Sequence, residues 1–175
     1  GLAPVKEHLA SAMLIRSGWA KNRQTPLIDP MCGAGTIAIE AAMMASNMAP
    51  GLKREFWGFD AWKEHDKTSW DDLVKQAEQA KQSHHVVIWA NDIDGSIISV
   101  AKENAQLAGV FDLIKFTQQD ACRLPATDLT SGYMVSNPPY GERLSETTQL
   151  MPIFQKWGSW LKQEFKSWHV SLLTS

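Results

Sequence analysis

The sequence contains few cysteines, few tyrosines and no surplus of basic residues. Two cysteines in 175 residues are too few for a disulfide framework, which argues against a small secreted scaffold and favours a reducing cytoplasm. No apolar run reaches the ~18 residues of a membrane span, and no signal-like pattern opens the chain. The net charge of −2 is unlike that of a domain that binds nucleic acid without a further domain.

Apolar residues make up 44% of the chain, enough for the core of one domain. Short apolar runs alternate with helical patterns, which predicts an α/β fold with a mostly parallel sheet flanked by helices. An N-terminal helix is predicted at residues 1–18, with Pro4 at its first helical position and Gly18 after its end. The predicted sheet core covers 25–48 and 86–175, with strands at 25–29, 86–90, 113–117, 133–136 and 168–175.

Residues from about 44 to 85 are predicted to form an insertion, because the second strand lies much further along the chain than an α/β unit requires. A helical pattern occupies 67–82, and the preceding segment is rich in aromatic residues: Phe56, Trp57, Phe59 and Trp62. These rings either stack RNA bases beside Lys53 and Arg54 or pack the insertion onto the body of the domain.

The first predicted strand ends in Asp29 and continues into a glycine-containing loop, residues 30–36. Gly33 and Gly35 allow the backbone to approach a ligand closely. The loop matches neither the dinucleotide G-x-G-x-x-G motif nor the triphosphate loop with its Lys-Ser/Thr pair. Asp29 would repel a phosphate but suits a cationic ligand such as S-adenosylmethionine; an ordinary structural turn is the alternative.

The next two strand ends also carry acidic residues. Asp92 is placed to accept both hydroxyls of a ribose, whereas Asp94 is expected to cap the following helix. Asp120 is either an acceptor for an adenine amine or an ordinary turn aspartate.

The fourth predicted strand ends in Asn137, Pro138, Pro139 and Tyr140. Two consecutive prolines hold the backbone extended at the rim of the sheet. The Asn137 side-chain oxygen and the Pro138 carbonyl can accept the N–H groups of an exocyclic amine, and Tyr140 can stack an unpaired base. A Pro-Pro turn with a half-buried tyrosine is the alternative.

Residues 137–140 resemble the Asn-Pro-Pro-Tyr motif of amino-methyltransferases. Four successive strand ends carry Asp29, Asp92, Asp120 and Asn137, and this set resembles class I S-adenosylmethionine-dependent methyltransferases with a Rossmann-like fold. Through residues 3–7, 29–36 and 137–143, the chain resembles RNA guanine-N2 methyltransferases in which an RNA-binding THUMP domain precedes the catalytic domain. The likeness is greatest to the N-terminal methyltransferase half of the bacterial two-domain large-subunit rRNA enzymes.

The resemblance implies S-adenosyl-L-methionine as cofactor, a guanine of 23S rRNA as substrate, a THUMP domain in the parent chain and no metal. It also implies that the chain is a fragment without the final strands of the sheet. The implied catalytic residues are Asn137, Pro138, Pro139 and Tyr140, and the implied substrate contacts are Tyr140 and Arg143, although Arg143 can instead pair with Glu142. The implied cofactor-binding residues are Asp29, Pro30, Cys32, Gly33, Ala34, Gly35, Asp92, Ile93, Asp120, Ala121 and Asn137.

Three alternatives to this hypothesis remain open from the sequence. The same Asn-Pro-Pro-Tyr segment serves methyltransferases that act on DNA adenine or on protein glutamine. A non-catalytic S-adenosylmethionine-binding module of the same fold is a second alternative. Nucleophilic catalysis by Cys32 is the third, and its only support is the position of the thiol in a loop.

Overall fold

The computed structural model describes residues 5–83, 85–124, 129–139 and 144–174. Its parallel strands are β1 (Leu27–Asp29), β2 (Ile88–Asp92), β3 (Ile114–Gln118), β4 (Tyr133–Ser136) and β5 (His169–Leu172). They form one sheet in the order β3-β2-β1-β4-β5. The helices are α1 (Glu7–Arg16), α2 (Thr36–Ala45), α3 (Lys67–Gln79), α4 (Gly95–Ala108) and α5 (Leu144–Glu164). The strand order reverses between β1 and β4, the position where open α/β sheets bind ligands.

Helices cover both faces of the sheet, which explains why its central strands are almost continuously apolar. On one face, α1, α2 and α4 pack over a core that includes Leu27 and Ile88. On the other face, the neighbouring strand residues Ile28 and Trp89 pack with Trp157 of α5. Successive strand residues thus contribute to two separate cores, as the alternation of side chains along a strand requires. None of the described helices is long and apolar enough to cross a membrane.

The N-terminal helix is shorter than predicted. It begins at Glu7 because the backbone of Lys6 is extended, with φ −68° and ψ 146°, and the prediction of a start at Pro4 is therefore wrong. Pro4 itself lies outside the described residues. The helix ends at Arg16, and Gly18 follows it with a left-handed φ of 89°, as expected for the residue after a helix end.

The second strand lies two residues later than predicted. It starts at Ile88 and includes Asn91 and Asp92, because these two residues continue the parallel pairing with Thr117 and Gln118 of β3. Two polar residues therefore belong to the strand itself, and Asn91 is completely buried there.

The long helix α5 was not predicted from the sequence. It contains Pro152 and Gly158, two residue types that normally argue against a helix interior. Burial of Trp157, which is 2% exposed, places α5 against the second face of the sheet. Tertiary packing thus outweighs local helix propensity in this segment.

The inserted segment contains a helix and an aromatic cluster. Its helix α3 begins after Asp66, whose carboxylate accepts a hydrogen bond from the Ser69 amide at 3.1 Å. The ring centroids of Trp57 and Phe59 lie 5.1 and 4.9 Å from that of Trp70. No residue of α3 is fully buried. Trp57 and Trp70 line a groove of about 600 Å³. The two alternatives for the aromatic cluster, stacking of RNA bases and packing onto the body, stay predictions.

Candidate functional site

The carboxyl ends of four neighbouring strands bring the predicted site residues to one edge of the sheet. Because β3, β2, β1 and β4 are parallel and adjacent in that order, Asp120, Asp92, Asp29 and Asn137 follow one another along this edge. The last two flank the position where the strand order reverses.

The glycine loop lies between β1 and α2 and has two left-handed residues. Gly33 has φ 53° and Gly35 has φ 85°, conformations that favour glycine. A Cβ atom on Gly35 would lie 3.0 Å from the Cβ of Ala101 in α4, so close helix packing also requires glycine there. A Cβ atom on Gly33 would meet no described atom within 4 Å. The loop is therefore packed on its inner side and open at Gly33, as a ligand cradle requires.

Asp92 supports the glycine loop from the end of β2. Its Oδ2 accepts a hydrogen bond from the Gly33 amide at 3.0 Å, and its Oδ1 accepts one from the Asp94 amide at 3.1 Å. Each carboxylate oxygen retains a lone pair, so the half-buried Asp92 can still accept two ribose hydroxyls. Ile93 beside it is 69% exposed, which leaves an apolar side chain free to cover a flat ligand. Asp94 caps α4 through the Ser96 amide, as expected.

Asp29 is buried beneath the edge of the sheet and is only 1% exposed. Its Oδ1 accepts a 2.6 Å hydrogen bond from the hydroxyl of Ser136, the last residue of β4, and a longer one from the Met31 amide. Burial raises the pKa of this carboxyl from 3.8 to about 7, while the Ser136 hydrogen bond opposes that rise. Asp29 thus links the glycine loop to the residue that precedes Asn137.

Asp120 behaves as a turn residue in this structure. Its carboxylate accepts a hydrogen bond from the Cys122 amide at 2.9 Å and lies 3.6 Å from the Lys156 ammonium and 4.0 Å from Arg123. The Cys122 hydrogen bond, with a smaller contribution from the two cations, lowers the pKa of Asp120. These contacts match the alternative of a turn aspartate, although the carboxylate remains accessible. Ala121 beside it is buried.

Asn137 follows β4 directly and carries a buried acceptor. Among the described residues, its side-chain Oδ1 has no hydrogen-bond partner. Buried polar atoms are normally paired, so an unpaired oxygen is unusual and points to a missing donor. Pro138 is buried and Pro139 is exposed, which fits an extended segment at the rim. The predicted contacts of Tyr140 and Arg143 lie outside the described residues.

Cys32 is buried within the glycine loop, and its thiol donates to the carbonyl of Gly33 at 3.5 Å. Burial, with a further contribution from the nearby carboxylate of Asp29, raises the pKa of the thiol far above its ordinary value. A neutral, shielded thiol is a poor nucleophile, which argues against cysteine-based catalysis.

Three residues that support the site were missed by the sequence analysis. Ser136 holds Asp29, and Asn91 and Asn104 donate hydrogen bonds to carbonyls of the glycine loop. The only signal in the sequence was the position of Ser136 and Asn91 at the end of apolar runs, where a polar side chain is not needed for packing.

A sequence model of the RMKL-like methyltransferase domain family matches residues 1–175. The chain belongs to this family. The ribosomal RNA large subunit methyltransferase K/L of Pseudoalteromonas atlantica is 61% identical to it over 176 residues, which are 100% of this chain and 25% of the relative. The chain therefore spans about a quarter of the length of the curated relatives it matches.

Two solved structures resemble this RMKL-like domain closely. SMU.472, described as a methyltransferase and complexed with SAH, has a TM-score of 0.88 and 32% identity, and the match covers 97% of this chain and 44% of that chain. A Listeria monocytogenes protein described as a predicted N6-adenine-specific DNA methylase has a TM-score of 0.87 and 38% identity, and the match covers 100% of this chain and 45% of that chain.

These comparisons confirm the predicted family, the α/β fold class and the prediction of a methyltransferase domain. The predicted cofactor, S-adenosyl-L-methionine, agrees with this family and with the SAH complex of SMU.472. The roles assigned to individual residues stay predictions, and the geometry of the strand edge is what supports them.

Proposed function

We propose that this domain transfers a methyl group from S-adenosyl-L-methionine to the exocyclic N2 amine of a guanine in large-subunit rRNA. The observation that carries the proposal is the buried Oδ1 of Asn137, which has no hydrogen-bond partner in the described part of the chain and lies where the strand order reverses. An exocyclic amine has two N–H groups, and an acceptor of this kind is suited to bind one of them.

The chain's own residues divide into three roles in this proposal. Asp92 accepts the ribose hydroxyls, and the open side of the loop at Gly33 leaves room for the methionine part of the cofactor. The bound cofactor supplies an electrophilic methyl group on a sulfonium. Asn137 Oδ1 and the Pro138 carbonyl hold the amine, and Tyr140 stacks the flipped base.

The negative charge of an ionised Asp29 suits the cationic end of the cofactor, although this carboxyl is buried below the edge of the sheet. With its pKa raised to about 7 by burial, Asp29 is partly protonated at neutral pH, and a nearby positive charge favours its ionised form. Asn137 and Pro138 need not act as bases, because the methylated amine becomes acidic and releases its proton to water.

The experiment that tests the function uses the full-length protein with labelled S-adenosyl-L-methionine and unmodified rRNA. Digestion to nucleosides should give labelled N2-methylguanosine. The matched variant Asn137→Ala should leave cofactor affinity nearly intact, because Asp92 and the glycine loop remain, and should lower turnover by about 100-fold or more, the scale for one lost transition-state hydrogen bond. Unlabelled rRNA under conditions where the protein binds the cofactor would refute the proposal.

Methylation of the N6 amine of adenine is the second candidate. An adenine amine also has two N–H groups, so Asn137 and Pro138 fit it equally well, and the Listeria monocytogenes neighbour is described as a predicted N6-adenine-specific DNA methylase. The same digestion separates the candidates, because N6-methyladenosine and N2-methylguanosine elute differently. A parallel reaction with duplex DNA tests the choice of nucleic acid.

The initial capture of rRNA is assigned to another part of the parent protein, for which a THUMP domain is the proposed module. The charge of −2 gives this chain little attraction for a phosphate backbone. Such an rRNA substrate also implies a cytoplasmic enzyme. In a salt titration, the isolated domain should show a shallow dependence of rRNA affinity and the full-length protein a steep one; equal slopes would refute this assignment.

A further inference from the structure

A buried asparagine lies between the loops that carry the candidate cofactor contacts. Asn91 of β2 is 0% exposed. Its side-chain Nδ2 donates to the carbonyl of Pro30 at 3.0 Å and to the carbonyl of Gln119 at 2.9 Å. Pro30 opens the glycine loop and Gln119 immediately precedes Asp120, so one amide joins the loops after β1 and β3.

The orientation of this amide follows from its partners. The carbonyls of Pro30 and Gln119 can only accept, so the atom of Asn91 that faces both of them is the NH₂ group. Its Oδ1 then accepts from the Thr117 hydroxyl 2.8 Å away, and the Thr117 oxygen accepts from the indole Nε1 of Trp89 at 2.6 Å.

Backbone hydrogen bonds complete the connection. The carbonyl of Asn91 accepts from the Cys32 amide at 2.8 Å, and the carbonyl of Asp92 accepts from the Gln119 amide at 3.0 Å. At the far end of the glycine loop, Asn104 of α4 donates from Nδ2 to the carbonyl of Ala34 at 3.0 Å. Two asparagine side chains thus fix three loop carbonyls, those of Pro30, Ala34 and Gln119.

We propose that Asn91, with Asn104, is a positioning residue for the cofactor: the two amides hold the two loops after β1 and β3 in the arrangement that S-adenosyl-L-methionine requires. This inference rests on the proposed function, because it assumes that these loops bind the cofactor. Neither side chain is assigned a contact with the cofactor, and each acts through the backbone carbonyl that it holds.

The alternative is that the network contributes to folding only, and a matched set of variants separates the two roles. Asn91→Asp keeps the acceptor for Thr117 but replaces the donor with a group that repels two carbonyls. Asn104→Ala removes one loop contact from the half-buried surface of α4. Thr117→Val is the control, because it breaks the buried network at nearly constant volume and leaves both asparagine donors in place.

S-adenosylhomocysteine affinity by calorimetry and thermal stability are measured for each variant in the full-length protein. We expect Asn91→Asp to weaken binding at least about 10-fold and Asn104→Ala about 3-fold or more, in line with lost buried hydrogen bonds. Thr117→Val should lower the melting temperature yet keep affinity within about 2-fold. With saturating S-adenosyl-L-methionine, turnover of Asn104→Ala should recover, unlike that of Asn137→Ala, because only cofactor binding is impaired.

Affinity within 2-fold of the unsubstituted protein in both asparagine variants, together with a lower melting temperature, would overturn the inference and leave the proposed function intact. If Asn91→Asp does not fold, the comparison of Asn104→Ala with Thr117→Val decides alone. Failure of the unsubstituted protein to bind S-adenosylhomocysteine would overturn the proposed function together with this inference.

Discussion

Different interactions stabilise the strand edge of the sheet and the inserted segment at residues from about 44 to 85. At the edge, Asp29, Asn91 and Ser136 are at most 1% exposed, and each is hydrogen-bonded to a residue distant in sequence. In the insertion, Phe56 and Trp62 are 70% and 71% exposed, and no residue of α3 is fully buried. The insertion is rich in aromatic residues. The candidate site, in contrast, consists of buried polar residues.

The physical reason for this difference is the cost of burying a polar group. An aromatic cluster such as that of Trp57, Phe59 and Trp70 is stable wherever the rings cover one another, even on a surface. A buried carboxyl or amide persists only when partners satisfy it, and those partners fix its position. Positional accuracy is what a methyl transfer site requires, and it is found at the strand edge.

The largest expected effect concerns the pH dependence of stability through Asp29. The pKa of Asp29 rises from 3.8 to about 7 on folding. At a pH between these two values, the folded state therefore keeps a proton that the unfolded state has lost. This contribution to stability is full below about pH 4 and is lost as the pH rises through 7, a total of about 4 kcal/mol. Asp29→Asn should remove this slope in urea unfolding from pH 4.5 to 8.

Asp66, the cap of α3 in the insertion, is the matched control for Asp29. Hydrogen bonds from Ser69 lower the pKa of this carboxyl, so its contribution is present at neutral pH and is lost only in acid. Asp66→Asn should therefore leave the slope near neutral pH unchanged. Identical pH profiles for Asp29→Asn and the unsubstituted protein would show that Asp29 does not titrate in this range.

Two leucine substitutions compare the packing of the regions directly. Leu27 in β1 is 0% exposed and Leu73 in α3 is 56% exposed. Leu27→Ala should lower the free energy of unfolding by about 3 kcal/mol through lost burial and a cavity. Leu73→Ala should change it by less than about 0.5 kcal/mol. Similar losses in chemical denaturation would mean that the insertion is as tightly packed as the body.

Cofactor affinity should depend on one aspartate of the strand edge and not on its neighbour. Asp92→Ala should weaken S-adenosylhomocysteine binding by about 2–3 kcal/mol, because a charged acceptor to two hydroxyls is lost. Asp94→Ala should lower helix stability and leave the affinity unchanged, since Asp94 caps α4 through Ser96. Calorimetry on both folded variants is the measurement, and equal affinities would remove Asp92 from the ribose site.

The smallest effect is expected for an ion pair on the surface of the insertion. Lys67 Nζ lies 3.0 Å from Asp71 Oδ2, with both side chains mostly exposed. Asp71→Ala should lower the free energy of unfolding by about 0.3–0.5 kcal/mol at low ionic strength. In 1 M salt the difference should vanish, because exposed charges are screened; a difference that persists would mean that packing of the side chain matters instead.

The sequence by itself determined the succession of strands along the chain, the glycine loop, and the caps at Gly18 and Asp94. These features depend on residues close together in the chain, where apolar periodicity and turn chemistry act directly. The start of α1 was missed because Pro4 suits a first helical position, whereas the extended backbone of Lys6 delays the helix.

Only the tertiary structure decided which polar residues support the site and how the insertion packs. Ser136 and Asp29 are separated by 107 positions and meet only because β1 and β4 are neighbours in the sheet. Helix α5 forms across Pro152 because the second face of the sheet must be covered. Such pairings depend on the free energy of burial, which couples residues by their distance in space and leaves no periodic signal in the sequence.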